Sequence, residues 1–437
     1  MNLKTNAFLS LAGSVVPALA ALAFVPGTLS RMGNDAFGVL TLLLALIGYF
    51  SIFDLGMARG LTFRLAQLHA TEGAADSRRQ PLETPAVLGT GMFITLLAGA
   101  LGAVAVLALA PLIVTRGVDV PQHLQADALR ALQWVAAGMV FVTLSSATRG
   151  ALEGINQFRI ANINKAVVGA GTFAVPWAVV QSGSATPLTH TAAVLVVLRL
   201  AVCVLEASQV LRLTRSRLAQ MRPRMAQARQ LLNYGGWILV SNVLSPLMVY
   251  GDRFVIGGIV GTYVLPYYAI PQEGLQRFLV IPSALCSALM PRLSQAARGE
   301  FVRLLRKSEA MNVQGMLALC AVIALGVHPF LSWWISKDFA DVALWPSMVM
   351  VVGMFFNADA MVKYVALHAL GQTRLTAIVH AVEFVVYFAA LVVLTRQFGI
   401  LGAAVAWTAR VVVDNLVLRI LLRRQLRKAD NADHVVR

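Results

Sequence analysis

The chain has 437 residues, 58% of them hydrophobic and only 13% charged, with a mean hydropathy of +0.73. A soluble domain is about 25% charged, so this composition excludes a soluble globular fold and points to a polytopic membrane protein. The net charge of +16 gives no reason to expect nucleic acid, because most of the charges sit in short loops between apolar runs, the pattern that holds Lys and Arg on the cytoplasmic side of an inner membrane.

A basic residue, Lys4, precedes the first apolar run, which continues to about Ser30 without a small-residue cleavage site and is read as a retained first span. Apolar segments then recur at about 7–29, 36–57, 86–114, 129–150, 163–182, 190–212, 235–259, 264–291, 311–335, 343–369, 375–395 and 399–421. Each is long enough to cross a hydrocarbon core about 30 Å thick at about 1.5 Å per residue. With the N-terminus inside, 26 of the 36 Lys and Arg fall on the cytoplasmic side, five on the other face and five deeper within spans. That bias predicts twelve helices with both termini cytoplasmic.

The connection richest in arginine, residues 212–234, divides the spans into two sets of six. The expected organisation is an N-lobe over 1–211, a basic cytoplasmic linker over 212–234, a C-lobe over 235–422 and a basic cytoplasmic tail over 423–437. Within the linker, R-P-R-M-A-Q-A-R-Q-L-L suits an amphipathic helix on the anionic inner leaflet, with an ordinary topogenic charge cluster favoured over specific recognition of anionic lipid. Weak internal similarity supports a repeat. S-V-V-P, ending at Pro17, precedes G-N-D-A-F-G as L-S-P, ending at Pro246, precedes G-T-Y-V-L-P. An even number of spans per half makes such repeats parallel, with a cleft between two lobes.

Ionisable residues inside spans cost roughly 2.5 to 3.5 kcal/mol each at the bilayer centre and mark functional candidates. The first half has Asp54 at the end of span 2, and Arg199 with Glu206 in span 6. The second half has Asp252 and Arg253, Glu273 and Arg277, Asp359 and Lys363, Glu383, and Arg410 with Asp414. Three of these pairs are spaced i, i+4, within reach on one helical face, so mutual neutralisation competes with ligand binding as their role. Arg253, Arg277, Lys363 and Arg410 are the candidate substrate-binding cations, and Glu383, Asp252 and Asp359 the candidate ion-coupling carboxylates. Glu383 stands out because no basic residue lies within one helical turn of it, which suits a proton carrier or cation ligand as well as a neutral acid bonded between helices.

Prolines within or beside spans, among them Pro17, Pro246, Pro271 and Pro282, suit helices that bend. Cys203, Cys286 and Cys320 lie in apolar runs without metal-ligand spacing. No nucleophile elbow, phosphate loop or paired metal histidines occur, and the loops are short, so no enzyme, metal or bound cofactor is expected.

Four motifs carry a family resemblance. G-Y-F-S-I-F-D-L-G-M-A-R-G-L-T-F-R-L-A at 48–66, R-G-A-L-E-G-I-N-Q-F-R-I-A-N at 149–162, Y-G-G-W-I-L-V-S-N-V-L-S-P-L-M-V-Y-G-D-R-F-V-I-G at 234–257 and A-L-M-P-R-L-S at 288–294 occur in order. Together they resemble Wzx-type O-antigen and polysaccharide flippases of the multidrug/oligosaccharidyl-lipid/polysaccharide exporter superfamily. The resemblance implies two six-helix lobes in a V. It also implies transfer of an undecaprenyl-pyrophosphate-linked oligosaccharide from the cytoplasmic to the periplasmic leaflet of the inner membrane, driven by a proton or sodium gradient. Membrane lipids are implied as surroundings, and a polysaccharide polymerase and chain-length regulator as partners. Asp252 and Arg253 fall on the family's D-R motif. Asp54, Gly56 and Arg59 fall in its D-L-G segment and, with Glu273 and Asp414, are read as structural or gating positions. Seventeen residues beyond the start of span 7, about 25 Å along a helix, the D-R pair is expected near the periplasmic end. The competing readings are a drug or cation antiporter of the same superfamily, a lipid II flippase, and a membrane glycosyltransferase or polysaccharide ligase.

Overall fold

In a computed structural model, the described backbone covers residues 3–50, 53, 56–70 and 80–435, and the described side chains 15–50, 53, 56–68, 83–229, 231 and 247–427. Among these residues there is no strand, and the backbone forms twelve α-helices: α1 (Leu3–Tyr49), α2 (Met57–Ala70), α3 (Gln80–Leu112), α4 (Gln122–Gly154), α5 (Phe158–Gln181), α6 (Pro187–Leu213), α7 (Met225–Ile259), α8 (Leu265–Phe278), α9 (Val280–Gln295), α10 (Arg298–Trp334), α11 (Lys337–Ala369) and α12 (Thr373–Val435). Eight described helices are long and apolar enough to cross a membrane. The reason is plain in α3, where no charged residue occurs between Glu83 and Arg116. In hydrocarbon every backbone N–H and C=O must be bonded within the chain, and a continuous helix does this locally.

The helices do not coincide one for one with the expected spans. α1 holds span 1 and the start of span 2, joined through Gly33 (φ 77, ψ 165), and α12 holds spans 11 and 12, joined through Gly399 (φ 58, ψ −139). Both backbones lie at positive φ, where a side chain would clash with its own peptide units. Span 2 is not the continuous helix expected over 36–57: α1 ends at Tyr49 and α2 starts at Met57, after Gly56 at φ 74. Span 8, expected over 264–291, is likewise divided, with Leu279 between α8 and α9.

These departures follow the internal repeat. Gly33 and Gly261, each opening one of the two similar motifs, adopt closely related conformations, with ψ 165 and ψ 164 and φ 77 and φ 105. Phe50 follows Gly33 by 17 residues and Leu279 follows Gly261 by 18, so the two α-helical runs end at nearly the same distance along the chain from these glycines.

The chain packs as two compact units, Met1–Phe254 and Val255–Arg437. In the first, Met57, Leu61 and Leu65 of α2 pack with Val87 and Leu88 of α3 and with Ala147, Ala151 and Leu152 of α4. Small residues let α2 and α4 approach to backbone contact, as is usual between membrane helices. A Cβ on Gly150 would strike the Ala58 carbonyl, and Thr62 Oγ1 donates to the Ala58 carbonyl at 2.9 Å and to the Gly150 carbonyl at 2.8 Å. Gly150→Ala is therefore expected to destabilise by about 1–3 kcal/mol through backbone displacement. Gly315→Ala, whose new methyl meets nothing within 4 Å, serves as the neutral control. Thermal unfolding of the two purified variants in detergent checks this.

At the start of α6, Asp127 of α4 accepts the N–H groups of Leu188 and Thr189, both at 3.0 Å, and the Thr189 hydroxyl at 2.5 Å. Pro187 has no N–H to satisfy, so the buried carboxylate completes the cap and fixes α6 against α4. In the second unit, Leu289 and Leu293 of α9, Phe301 and Leu305 of α10, Val362, Ala366 and Leu367 of α11 and Leu418 of α12 form the matching core. All three cysteines are buried and unbridged.

Candidate functional site

Each compact unit holds one helix break with candidate site residues close to it in sequence. In membrane transporters, interrupted helices at corresponding positions of two repeats commonly mark the binding site, because they bring backbone polar groups to a cavity at membrane depth. Gly56 and Arg59 lie at the start of α2, Gly56 buried and Arg59 exposed, and Glu273 and Arg277 lie half-buried near the end of α8, just before its break. Asp54 lies outside the described residues.

Within the first unit, Asp252 and Arg253 pack beside the end of α1. Tyr49, the last residue of α1, donates its hydroxyl to the Leu247 carbonyl at 3.3 Å, and its ring lies 6.1 Å from Tyr250 and 6.0 Å from Phe254. Gly48 makes room for this crossing, since a Cβ there would lie 3.0 Å from the Tyr250 ring. The Arg253 guanidinium sits over the Tyr250 ring, 5.3 Å from its centroid, and the backbone N–H of Arg253 donates to Asp252 Oδ1 at 2.8 Å. Asp252 is 0% and Arg253 1% exposed. Burial removes the competing water and strengthens the cation–π contact. In this conformation, reaching an external ligand would require Arg253 to leave that ring.

In the second unit the charges form two compact groups. Lys363 Nζ of α11 contacts Asp359 Oδ1 at 2.5 Å and Glu309 Oε1 of α10 at 3.9 Å. Asp359 Oδ2 accepts from Asn415 of α12 at 2.9 Å and from Arg419 at 3.4 Å, and Asn312 donates to the Ala358 carbonyl at 3.0 Å. Two cations and two carboxylates thus balance across three helices. Lys363, 1% exposed, is committed to these carboxylates in this conformation rather than presented to solvent.

The other group departs from the expected pairing. Glu383, isolated on its own helix, receives Arg410 Nε at 2.7 Å from the segment of α12 beyond Gly399. Among the described residues Arg410 thus forms its ion pair with Glu383 rather than with its i+4 neighbour Asp414. Asp414 instead lies 3.9 Å from His380 Nε2, and the Arg410 guanidinium lies over the Tyr387 ring at 5.4 Å. Ligand atoms of His380, Glu383 and Asp414 all lie within 4.8 Å of one another. His380 stacks on Tyr364, 5.6 Å between centroids and 2° from parallel. Two carboxylates and an imidazole around one guanidinium form a group that can exchange a proton or cation against Arg410.

Sequence reasoning missed Tyr49, Glu309, His380, Asn415 and Arg419. His380 stands three residues before Glu383 on one helical face, whereas Arg419 falls among the charges counted as cytoplasmic and Tyr49 inside the second apolar segment. In the first half, Glu206 accepts from Thr148 at 2.9 Å and is bound within its own lobe.

These features define an all-α, multi-pass membrane protein. Solved structures agree on the fold: the chain superposes on an inward-facing multidrug resistance MATE family transporter of the MOP superfamily with TM-score 0.78, 13% identity, and 97% and 99% of the two chains covered. It superposes on the lipid II flippase MurJ in its inward closed conformation with TM-score 0.70, 11% identity, and coverage of 96% and 87%. The sequence family described as "Polysaccharide biosynthesis protein" matches residues 3–297. A Shigella flexneri protein named "Putative O-antigen transporter" is 31% identical over 437 residues, 99% of this chain and 100% of the relative. The chain belongs to this polysaccharide biosynthesis family, and its curated relative is named as a transporter rather than an enzyme.

Proposed function

We propose that the protein moves an undecaprenyl-pyrophosphate-linked oligosaccharide, the repeat unit of an O-antigen or exopolysaccharide, from the cytoplasmic to the periplasmic leaflet of the inner membrane by alternating access. The observation that carries this reading is the buried Asp252–Arg253 pair, on the family's D-R motif and packed beside the break in span 2. A diphosphate crossing about 30 Å of hydrocarbon needs donors to replace its water, and a guanidinium supplies two parallel N–H groups to it. The polyprenyl tail can stay in lipid throughout. In the resting conformation Arg253 is held by Tyr250 and screened by Asp252; opening exposes it to the headgroup, and Asp252 prevents permanent capture.

Return of the empty carrier is driven by a proton or sodium gradient acting on the Glu383–Arg410–Asp414–His380 group. A polysaccharide polymerase and a chain-length regulator act on the delivered product.

Export in a strain lacking its own flippase, scored as surface polysaccharide at equal protein level, tests the assignment. Arg253→Ala is expected to lower export at least about tenfold, the worth of one charge-assisted contact of about 1.4 kcal/mol or more, and Arg253→Lys to retain part of it. Normal export from Arg253→Ala would overturn the central role of Arg253.

A further inference from the structure

The connection between α6 and α7 does not form the separate amphipathic helix expected over its second half. It is a short 3-10 turn, Leu218–Gln220, after which Met225 opens α7 directly. Its main chain is fixed to the first unit. The Met221 backbone occupies the space a Cβ would need on Gly89 of α3, the Arg224 N–H donates to Thr90 Oγ1 at 3.0 Å, and Met221 packs on the core around Leu88 and Leu231. Ser216 and Gln227 are buried within it.

The other side of this anchored segment faces out. Arg212, Arg215, Arg217, Arg222, Arg224 and Arg229 are all exposed, and none has a carboxylate within 4.0 Å among the described residues. No acidic residue occurs anywhere between Glu206 and Asp252. Among these arginines stand exposed apolar side chains, Leu213 at 43%, Leu218 at 73% and Met225 at 84%. The segment follows directly on α6, a helix long and apolar enough to cross a membrane. A charge needed only to orient the chain during insertion requires neither a fixed backbone nor neighbouring apolar groups.

We propose that this segment is a docking surface for anionic phospholipid, with Arg217, Arg222 and Arg224 binding headgroup phosphates while Leu218 and Met225 enter the acyl boundary. Guanidinium groups match phosphate oxygens in pairs, which an ammonium does not. Clustered basic residues at a membrane surface attract anionic lipid additively, and apolar neighbours add to the attraction. Because the same segment is the covalent connection between the sixth and seventh spans, lipid bound there stabilises its anchored conformation.

The test uses the full-length protein in neutral detergent, titrated with phosphatidylglycerol, phosphatidylcholine, inorganic phosphate or undecaprenyl pyrophosphate, and read by native mass spectrometry and thermal shift. Phosphatidylglycerol is expected to bind and raise the unfolding temperature, whereas phosphatidylcholine and inorganic phosphate leave it unchanged. The triple variant R217Q/R222Q/R224Q is expected to bind phosphatidylglycerol on the order of a hundredfold more weakly. R217K/R222K/R224K keeps the charges that set orientation and is expected to fall between the two. Equal phosphatidylglycerol binding by wild type and the Gln variant overturns the proposal. So does an equal response to phosphatidylcholine or inorganic phosphate, or displacement of phosphatidylglycerol by an equal mole fraction of undecaprenyl pyrophosphate, which would make the segment a substrate-capture site.

Discussion

Asp359→Ala is expected to be the most damaging single charge substitution in the second unit, destabilising it by about 3–5 kcal/mol, a large part of a total stability of about 5–15 kcal/mol. The reason is the geometry around Lys363. Its ammonium is buried, its close partner is Asp359 Oδ1 at 2.5 Å, and Glu309 stands off at 3.9 Å. Removing Asp359 leaves Lys363 largely uncompensated, and it also takes away the acceptor shared by Asn415 and Arg419. Replacing a whole buried pair with apolar groups of similar size costs far less than breaking it. Asp359→Leu with Lys363→Met should therefore recover most of the unfolding temperature lost by Asp359→Ala. Export then separates two roles. A double variant that is stable and exports normally gives the pair a structural role only; one that is stable and inactive places the pair in the transport cycle. A single Asp359→Ala variant as stable as wild type would contradict the network itself.

At the Glu383 group the expected effects are asymmetric. Arg410 is the cation among two carboxylates and an imidazole, so Arg410→Ala brings Glu383 and Asp414 together without it and should destabilise by about 3–5 kcal/mol. Glu383→Gln removes one negative charge but leaves Asp414 to neutralise Arg410, keeps the side-chain shape, and should change stability by less than about 1 kcal/mol. If the group couples transport to an ion gradient, Glu383→Gln should nevertheless lower export at least about tenfold, with substrate movement in proteoliposomes no longer responding to an imposed gradient. Comparable unfolding temperatures for the two single variants would contradict the asymmetry. Gradient-dependent transport by Glu383→Gln would exclude Glu383 as the coupling residue.

Both experiments bear on which charges are structural. Of the cations read as substrate contacts, Lys363 and Arg410 are bound to carboxylates across helix interfaces, and Arg253 is packed on an aromatic ring. Arg277 lies half-buried beside the break between α8 and α9. Under the proposed function, a headgroup would have to compete with partners already in place for the first three. That competition gives a transporter a means to release what it binds, since each contact formed with substrate replaces one within the protein.

Much was legible in the sequence because hydrocarbon leaves the backbone little choice. Runs of about 20 apolar residues must be helical, their number and order follow from their spacing, and the D-L-G and D-R motifs carried the family. The Gly33 and Gly261 turns were visible as a weak repeat of short motifs. The Asp359–Lys363 contact was visible as an i, i+4 pair because one helix brings its partners together. Interruption of spans 2 and 8 was not read from the sequence, although Gly56 and Pro282 stand close to the two breaks, because glycine and proline are common in continuous membrane helices as well. Neither was the pairing of Glu383 with Arg410. Residues 27 positions apart on either side of the Gly399 turn meet only once two segments pack, and hydropathy carries no record of which faces touch. Glu383 looked isolated because local spacing sees one helix at a time. The sequence by itself determined the class, the spans and the embedded charges. The tertiary structure decided which of those charges neutralise one another, because partner choice depends on distances of a few ångströms between helices that lie far apart along the chain.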